Sequence, residues 1–270
     1  MDKLLRRTLV SILLVSFICC VIYVFPVWLF VCVVAGFIGI AQFEFFKMAG
    51  NRGIFVYKYF AVIVGSMVPV VIFAGHNVAG LKNLEPLLIT CASLFVFVLH
   101  FISNDNDRDH LVSICVTLFS LLYISWFFSF FVKLRLLGNG ANFVAYIVMV
   151  TKGADIGAYL GGTRFGKNEL IPKISPNKTM EGTFSGILTG LILSVTFGKA
   201  LTGFSFWHAA ILGFTLSIVG QLGDLAESLI KRDCRVKDSG PYLADIGGIL
   251  DLIDSLLFTV PIFYYYTLAF

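Results

Sequence analysis

The feature of this sequence that most constrains its fold is the length and number of the apolar runs. A helix that crosses the hydrocarbon core of a bilayer needs about 20 consecutive apolar residues. Its backbone N–H and C=O groups must also be satisfied within the segment, which favours helices. The stretches that meet this requirement lie near residues 8–25, 27–46, 59–76, 85–102, 110–132, 141–160, 180–198, 206–230 and 246–268. The sequence therefore predicts an all-α polytopic membrane protein with about nine transmembrane helices.

Composition favours the same class. Hydrophobic residues make up 58% of the chain and charged residues only 13%, whereas soluble domains carry about 25% charged residues. Most of the exterior must therefore face lipid. The net charge of +4 is too small to indicate a nucleic-acid partner, and the six cysteines form no CxxC pair that would indicate a metal site.

The basic residues predict the orientation of the helices. If the N-terminus is cytoplasmic, fifteen Lys and Arg residues fall on that side and four on the other, as the positive-inside rule requires. The four are Lys82, Lys133, Arg135 and Lys199, while Lys152 falls inside the sixth apolar run. We expect an integral protein of a bacterial inner membrane, with the loop around residues 161–180 in the cytoplasm.

The two halves of the chain differ in their acidic residues. From Asp155 onward the chain carries 10 of its 16 acids, several of them within or beside apolar runs. Ionisable groups at such depth are costly and mark functional cavities. We therefore predict a hydrophobic scaffold region at residues 1–135 and a catalytic region at residues 136–270. Within the scaffold, Glu44 and His100 are interpreted as interfacial or packing residues.

The longest polar stretch runs from Gly161 to Glu181. Its four basic residues, two prolines and three glycines exclude a continuous helix. Ser175 and Lys178 lie just before the helix that is predicted to begin near Glu181, and a helix N-terminus flanked by Lys and Ser suits a phosphate group. An ordinary basic cytoplasmic loop would have the same composition, so both interpretations stay open on this stretch alone.

A second polar group lies at the end of an apolar run, in the stretch GDLAESLIKR that begins at Gly223. On a helix, Asp224, Glu227 and Lys231 share one face, since they are spaced at i, i+3 and i+7. This face has the groups to hold Mg²⁺ and a phosphate together. It is also compatible with an internally paired polar stripe that ends a membrane helix.

The last apolar run contains Asp251 and Asp254 one helical turn apart, after Gly247 and Gly248. Acids at such positions are hard to explain as packing. If Asp224 and Asp251 face each other, their oxygen atoms would select Mg²⁺. A proton-coupled secondary transporter, with the same acids in a relay, is the alternative from another functional class.

Five motifs in order carry a more specific signal. They are ADIGAYLGG at 154–162, ISPNKTMEG at 174–182, ESLIKR at 227–232, KDSG at 237–240 and GGILDLIDS at 247–255. Together they resemble the phosphatidate cytidylyltransferases, also called CDP-diacylglycerol synthases. The resemblance covers about residues 150–255, while the first half matches only as a hydrophobic region of the expected size.

The resemblance implies a reaction in which phosphatidic acid attacks the α-phosphorus of CTP, giving CDP-diacylglycerol and pyrophosphate with Mg²⁺ as cofactor. It implies Asp224 and Asp251 as metal ligands and catalytic residues. The other implied site residues are Lys237 and Asp238 as catalytic groups, and Ser175, Lys178, Lys231, Asp155, Tyr159, Glu227 and Asp254 as substrate-binding groups or cavity wall. The implied partners are CTP, phosphatidic acid and membrane lipid, and a homodimer is compatible with the sequence.

The final signature departs from the family pattern. The family usually reads Pro-Gly-His-Gly-Gly before the last helix, where this chain has Ala244, Asp245 and Ile246 before two glycines. The family's Asp-Arg-x-Asp has Leu252 in place of the arginine. Since the acids and glycines remain, we expect an active enzyme. A CTP-dependent polyprenol or dolichol kinase is the alternative among lipid enzymes.

Overall fold

A computed structural model describes residue 13 and residues 15–102, 109–240 and 247–270 of the chain. The helices are α1 (15–23), α2 (Val27–Asn51), α3 (Lys58–Asn77), α4 (Leu84–Ile102), α5 (His110–Ser120), α6 (Phe127–Arg135), α7 (Gly140–Phe165), α8 (Met180–Thr202), α9 (Phe206–Asp233) and α10 (Ile249–Ala269). A 3₁₀ turn spans Ala79–Leu81, and an antiparallel hairpin joins β1 (Glu169–Ile171) to β2 (Ser175–Thr179).

Among the described residues, eight helices are long and apolar enough to cross a membrane. They match eight of the nine predicted runs, which confirms an all-α polytopic membrane protein. The remaining run, 8–25, lies partly outside the described residues, and its residues 15–23 form α1. One membrane-length helix, His110–Arg135, is built from α5, a π-helical segment at Leu121–Trp126 and α6.

Local sequence signals set several helix ends. Pro26 precedes α2 with a φ of −62° and so separates α2 from α1. Thr179 caps α8, because its hydroxyl accepts a hydrogen bond from the Gly182 N–H at 3.1 Å. Gly203 follows α8 with a φ of 77°, a left-handed conformation that glycine adopts without strain.

The chain forms two compact units. The first comprises Met1–Leu136 and Cys234–Leu252, and the second comprises Leu137–Asp233 and Ile253–Phe270. The junction near residue 136 lies close to the predicted division between residues 135 and 136. Segment 234–252 nevertheless packs with the N-terminal helices, because the Glu44 carboxylate binds the backbone at the start of α10. Spacing along the sequence does not encode this contact.

In the first unit, α2 packs against α3 and α6 around buried aromatic and aliphatic side chains. Ile38, Ile124 and Phe130 are completely buried there. In the second unit, α7 and α8 approach closely along rows of small residues. A methyl group at Gly157 would overlap Thr189, and one at Gly186 would meet the Ala154 carbonyl, so both positions require glycine.

Both units expose large apolar side chains. The most exposed include Trp28, Tyr59, Phe101, Leu111, Phe184 and Trp207. Apolar surface of this extent is unfavourable in water and well tolerated in lipid. The exterior therefore fits the predicted membrane environment.

Candidate active site

A buried carboxylate lies at the centre of the first unit. Glu44, on α2, is only 1% exposed. Its Oε1 accepts a hydrogen bond from the Ile249 N–H at 3.0 Å, and its Oε2 accepts one from the Leu250 N–H at 2.8 Å. The first N–H groups of a helix have no partner within the helix, and the positive end of the helix dipole favours an anion. Glu44 therefore caps α10 from a distant part of the chain.

Asp251 lies beside this cap and is bonded to the same loop. Its Oδ2 accepts hydrogen bonds from the Ser239 N–H at 3.0 Å, the Ser239 hydroxyl at 2.8 Å and the Gly248 N–H at 2.7 Å. The Ser239 hydroxyl also lies 3.1 Å from Glu44 Oε2. We call these residues, Glu44, Ser239, Gly248 and Asp251, the Glu44–Asp251 cluster. It fixes the KDSG loop against the start of α10.

Two glycines make this cluster possible. Gly247 has a φ of +111°, which other residues rarely adopt. A methyl group at Gly248 would overlap the Ser239 hydroxyl and both carboxylate oxygens of Glu44. Gly248 is therefore required by the close approach of Glu44 and Ser239, and Gly247 by its backbone conformation.

A separate group of acids lies in the second unit. Asp224 and Glu227, on α9, and Asp254, on α10, each offer an oxygen atom, and these atoms lie within 4.8 Å of one another. We call them the acid triad. A methyl group at Gly223 would lie 2.7 Å from the Asp254 carbonyl oxygen, so this glycine lets α9 approach α10 beside the triad.

Each acid of the triad faces a lysine. Lys178 Nζ lies 2.7 Å from Asp224 Oδ2, and Lys231 Nζ lies 2.5 Å from Glu227 Oε2. Lys152 Nζ lies 3.6 Å from Asp254 Oδ1. Buried acids need compensating charge, and three ammonium groups supply it here. Lys231 pairs with Glu227 within α9, at i,i+4. Lys178 and Lys152 come from β2 and α7, so their pairing with Asp224 and Asp254 depends on the tertiary fold.

Lys152 belongs to a further hydrogen-bonded group on α7 and α10. Its Nζ lies 3.0 Å from Asp155 Oδ2 and donates to the Ser255 hydroxyl at 2.7 Å. The Ser255 hydroxyl in turn donates to Asp155 Oδ2 at 2.8 Å. Asp155 is therefore paired with Lys152.

The polar stretch before α8 folds into the hairpin β1–β2. Glu181, in the first turn of α8, accepts hydrogen bonds from the Lys167 N–H at 3.1 Å and the Asn168 N–H at 3.2 Å. At the other side of the hairpin, the Arg232 Nε–H donates to the Ile174 carbonyl at 3.2 Å. These contacts hold β2 next to α9, where Lys178 reaches Asp224.

The structure brings some of the predicted site residues together and leaves others apart from them. Asp155, Asp224, Glu227, Asp254, Lys178 and Lys231 lie around the triad in the second unit. Asp251 belongs to the Glu44–Asp251 cluster in the first unit, where Lys237 and Asp238 precede Ser239 with exposed side chains. Ser175 is half-buried at the start of β2, and Tyr159 is 69% exposed on α7.

Sequence reasoning missed two residues. Glu44 was interpreted as a packing or interfacial residue, and Lys152 was given no role at the site. Both are ionisable residues inside apolar runs, and that position is itself a functional signal. Their partners are far away in the sequence, since Glu44 binds a hydroxyl 195 residues away and Lys152 binds one 103 residues away.

The acid triad has the donors that Mg²⁺ prefers. Mg²⁺ binds oxygen ligands at about 2.1 Å in an octahedron, so opposite ligands are about 4.2 Å apart. The three triad oxygens lie within 4.8 Å of one another, so small side-chain rotations would bring them onto one cation. Three carboxylates with three lysines can therefore hold a divalent cation next to phosphate groups, with ammonium charge available to the phosphates.

Comparison with known proteins gives a consistent set of relatives. A model of the cytidylyltransferase family matches residues 5–270. The phosphatidate cytidylyltransferase of Bacillus subtilis is 36% identical over 188 residues, which cover 69% of this chain and 68% of that protein. That of Mycobacterium leprae is 28% identical over 245 residues, covering 86% and 76%.

A third relative is the uncharacterized protein YnbB of Escherichia coli. It is 39% identical over 151 residues, which cover 56% of this chain. The chain spans only half the length of that protein.

Proposed function

Because this chain belongs to the cytidylyltransferase family, we propose that it transfers the cytidylyl group of CTP to phosphatidic acid. The products would be CDP-diacylglycerol and pyrophosphate. The observation that carries the proposal is the acid triad with its three lysines, set in helices long and apolar enough to cross a membrane. Relatives that are phosphatidate cytidylyltransferases support the same substrates.

In this reaction an oxygen of the lipid phosphate forms a bond to the α-phosphorus of CTP. The bond between that phosphorus and the bridging oxygen to the β-phosphorus breaks, and pyrophosphate leaves. Two polyanions must approach each other, so the site has to supply positive charge and to hold the reacting groups in line. No protein nucleophile is needed.

We propose Mg²⁺ as the cofactor, held by Asp224, Glu227 and Asp254. When bound, the ion supplies charge that offsets phosphate repulsion and stabilises the leaving pyrophosphate. Asp251 stays a predicted ligand from the sequence. Its Oδ2 already accepts three hydrogen bonds from Ser239 and Gly248. We propose that these hydrogen bonds orient the Asp251 carboxylate.

Lys178 and Lys231 are the residues we propose for the phosphates of CTP. Each lies at the polar end of a helix or in the adjoining hairpin, where a water-soluble nucleotide has access. Ser175, Lys237 and Asp238 are proposed nucleotide contacts on the predicted cytoplasmic side. The basic loops would then lie in the cytoplasm and the diacylglycerol chains would stay in the membrane. CTP and the lipid phosphate would meet at the interface between them.

Purified protein incubated with labelled CTP, phosphatidic acid and Mg²⁺ tests this proposal. With the label in the α-phosphate of CTP, cytidylyl transfer moves it into a lipid. A lipid kinase would instead release labelled CDP and leave the lipid unlabelled. A proton-coupled transporter would produce neither, so an absence of labelled lipid under conditions where a Bacillus subtilis relative is active would contradict the proposal.

A further inference from the structure

The charges around the acid triad come close to balance within the protein itself. Asp155 and the three triad acids provide four carboxylates, and Lys152, Lys178 and Lys231 provide three ammonium groups. With all groups ionised, one net negative charge remains. A divalent cation would convert this to one net positive charge. The cluster would therefore repel a phosphate before the cation binds and attract one afterwards.

Lys152 is held in a different way from the other two lysines. Its Nζ contacts Asp155 at 3.0 Å and Ser255 at 2.7 Å, while the triad acid Asp254 is more distant, at 3.6 Å. A lysine ammonium has three N–H donors. Two are directed to Asp155 and Ser255, so the third can leave Asp254 for another anion without releasing the side chain.

Its position on α7 indicates which anion. Lys152 is near the middle of the 26-residue helix Gly140–Phe165, about 20 Å of helix from either end. The side chain is 28% exposed, so it is not sealed in the core. Lys178, in β2, and Lys231, in the last turn of α9, lie nearer the polar ends of the helices, where water-soluble CTP has access. A lipid phosphate can be drawn along a polar helix face while its acyl chains stay in hydrocarbon.

We propose that Lys152 binds the phosphate monoester of the lipid substrate. With Asp254 compensated by a divalent cation, the third N–H of Lys152 would be able to donate to a phosphate oxygen of the lipid. The lipid phosphate therefore binds after the cation. This inference rests on the proposed function for the identity of the lipid, phosphatidic acid.

Binding without turnover tests the inference. Purified protein in detergent is titrated with phosphatidic acid in the absence of CTP, once with Mg²⁺ and once with chelator, and diacylglycerol serves as the lipid without a phosphate. We expect the wild type to bind phosphatidic acid at least tenfold more tightly with Mg²⁺. Lys152→Met should lose at least tenfold of that affinity, whereas Lys152→Arg, which keeps the charge, should lose less.

Lys133→Met is the matched control. Lys133 forms a half-buried ion pair with Glu85 at 2.6 Å in the first unit, and its side chain is 18% exposed, against 28% for Lys152. The Lys133→Met variant should bind phosphatidic acid as tightly as the wild type does. Lys152→Gln provides a second neutral variant that keeps a hydrogen-bond donor for Ser255, should the methionine variant fail to fold.

Steady-state kinetics separates this inference from the proposed function. If the wild type forms CDP-lipid, Lys152→Gln should raise KM for phosphatidic acid at least tenfold and leave KM for CTP unchanged. Unchanged affinity for phosphatidic acid in folded neutral variants would overturn the inference while the activity stands, and so would a rise confined to KM for CTP. If the wild type binds phosphatidic acid through Lys152 but forms no CDP-lipid, the proposed reaction fails and the binding residue stands.

Discussion

The two units of this protein bury their acids in chemically different ways. In the Glu44–Asp251 cluster, the partners are backbone N–H groups and the Ser239 hydroxyl. In the acid triad, the partners are lysine ammonium groups. Backbone donors are fixed by the fold, whereas a lysine reaches its partner on a flexible four-carbon stem. The first arrangement is suited to holding a loop, and the second to exchanging one cation for another.

Accessibility distinguishes one acid of the triad. The Asp224 side chain is 33% exposed, whereas Glu227, Asp254 and Glu44 are buried. A soluble substrate can therefore reach the triad at Asp224, while Glu44 is closed off. We propose a positioning role for the Glu44–Asp251 cluster and a chemical role for the triad.

The largest expected effect is on the triad. Asp224→Asn removes a negative charge that the proposed cation needs. We therefore expect the rate of CDP-lipid formation to fall about a hundredfold or more. A hundredfold fall corresponds to a loss of roughly 2.7 kcal/mol in transition-state stabilisation. Thermal unfolding should change little, because the asparagine can still bond Lys178. Near-normal turnover at low Mg²⁺ would remove Asp224 from the metal site.

Asp251→Asn should lower CDP-lipid formation by a similar factor, but with a different accompanying effect. Its Oδ2 accepts hydrogen bonds from Ser239 and Gly248, and an amide cannot satisfy all of them. We therefore expect a lower unfolding temperature together with the lost activity. Equal unfolding temperatures for Asp251→Asn and Asp224→Asn would break the distinction between the two clusters.

A smaller effect is expected for Lys178→Ala. Charge-assisted bonds contribute about 1.5–3 kcal/mol, so kcat/KM for CTP should fall roughly ten- to a hundredfold. Kinetics with CTP and phosphatidic acid varied separately measures this, with Lys173→Ala as the control from the same hairpin, since Lys173 is exposed. Unchanged CTP dependence in Lys178→Ala would mean that the hairpin carries ordinary positive-inside charge.

Glu44→Gln should act mainly on stability. The amide places an NH₂ group near backbone N–H donors, and an unsatisfied buried polar group costs about 1–3 kcal/mol. Glu181→Gln is the control, because Glu181 also accepts backbone hydrogen bonds but in an exposed position. Denaturant unfolding in detergent should show a clearly larger loss for Glu44→Gln. An equal or smaller loss would contradict the structural role of Glu44.

The membrane orientation can be tested with the least disturbance of the protein. Lys173 lies in the hairpin before α8 and Lys199 near the end of α8, and both side chains are exposed. Cysteines at these two positions should be labelled from opposite sides of sealed vesicles, with Lys173 on the cytoplasmic side. Labelling of both from one side would overturn the predicted topology.

The fold was largely predictable because apolar runs of membrane length have few alternatives to helices. The π-helical segment at Leu121–Trp126 was not, since hydrophobicity does not distinguish it from α-helix. At the site, the spacing of Asp224 and Glu227 was enough to place them on one face. The partners of Glu44 and the contact of Lys152 with Ser255 were not predictable, because these residues are more than a hundred positions away in the sequence.

Mn²⁺ binding followed by electron paramagnetic resonance tests the central claim most directly, namely that the acid triad holds a divalent cation. Mn²⁺ prefers the same oxygen ligands as Mg²⁺ and reports its own binding. We predict that the wild type and Glu85→Gln, which alters an ion pair in the first unit, bind the ion alike, and that Asp254→Asn weakens binding at least tenfold. Wild-type affinity in folded Asp254→Asn would contradict the account.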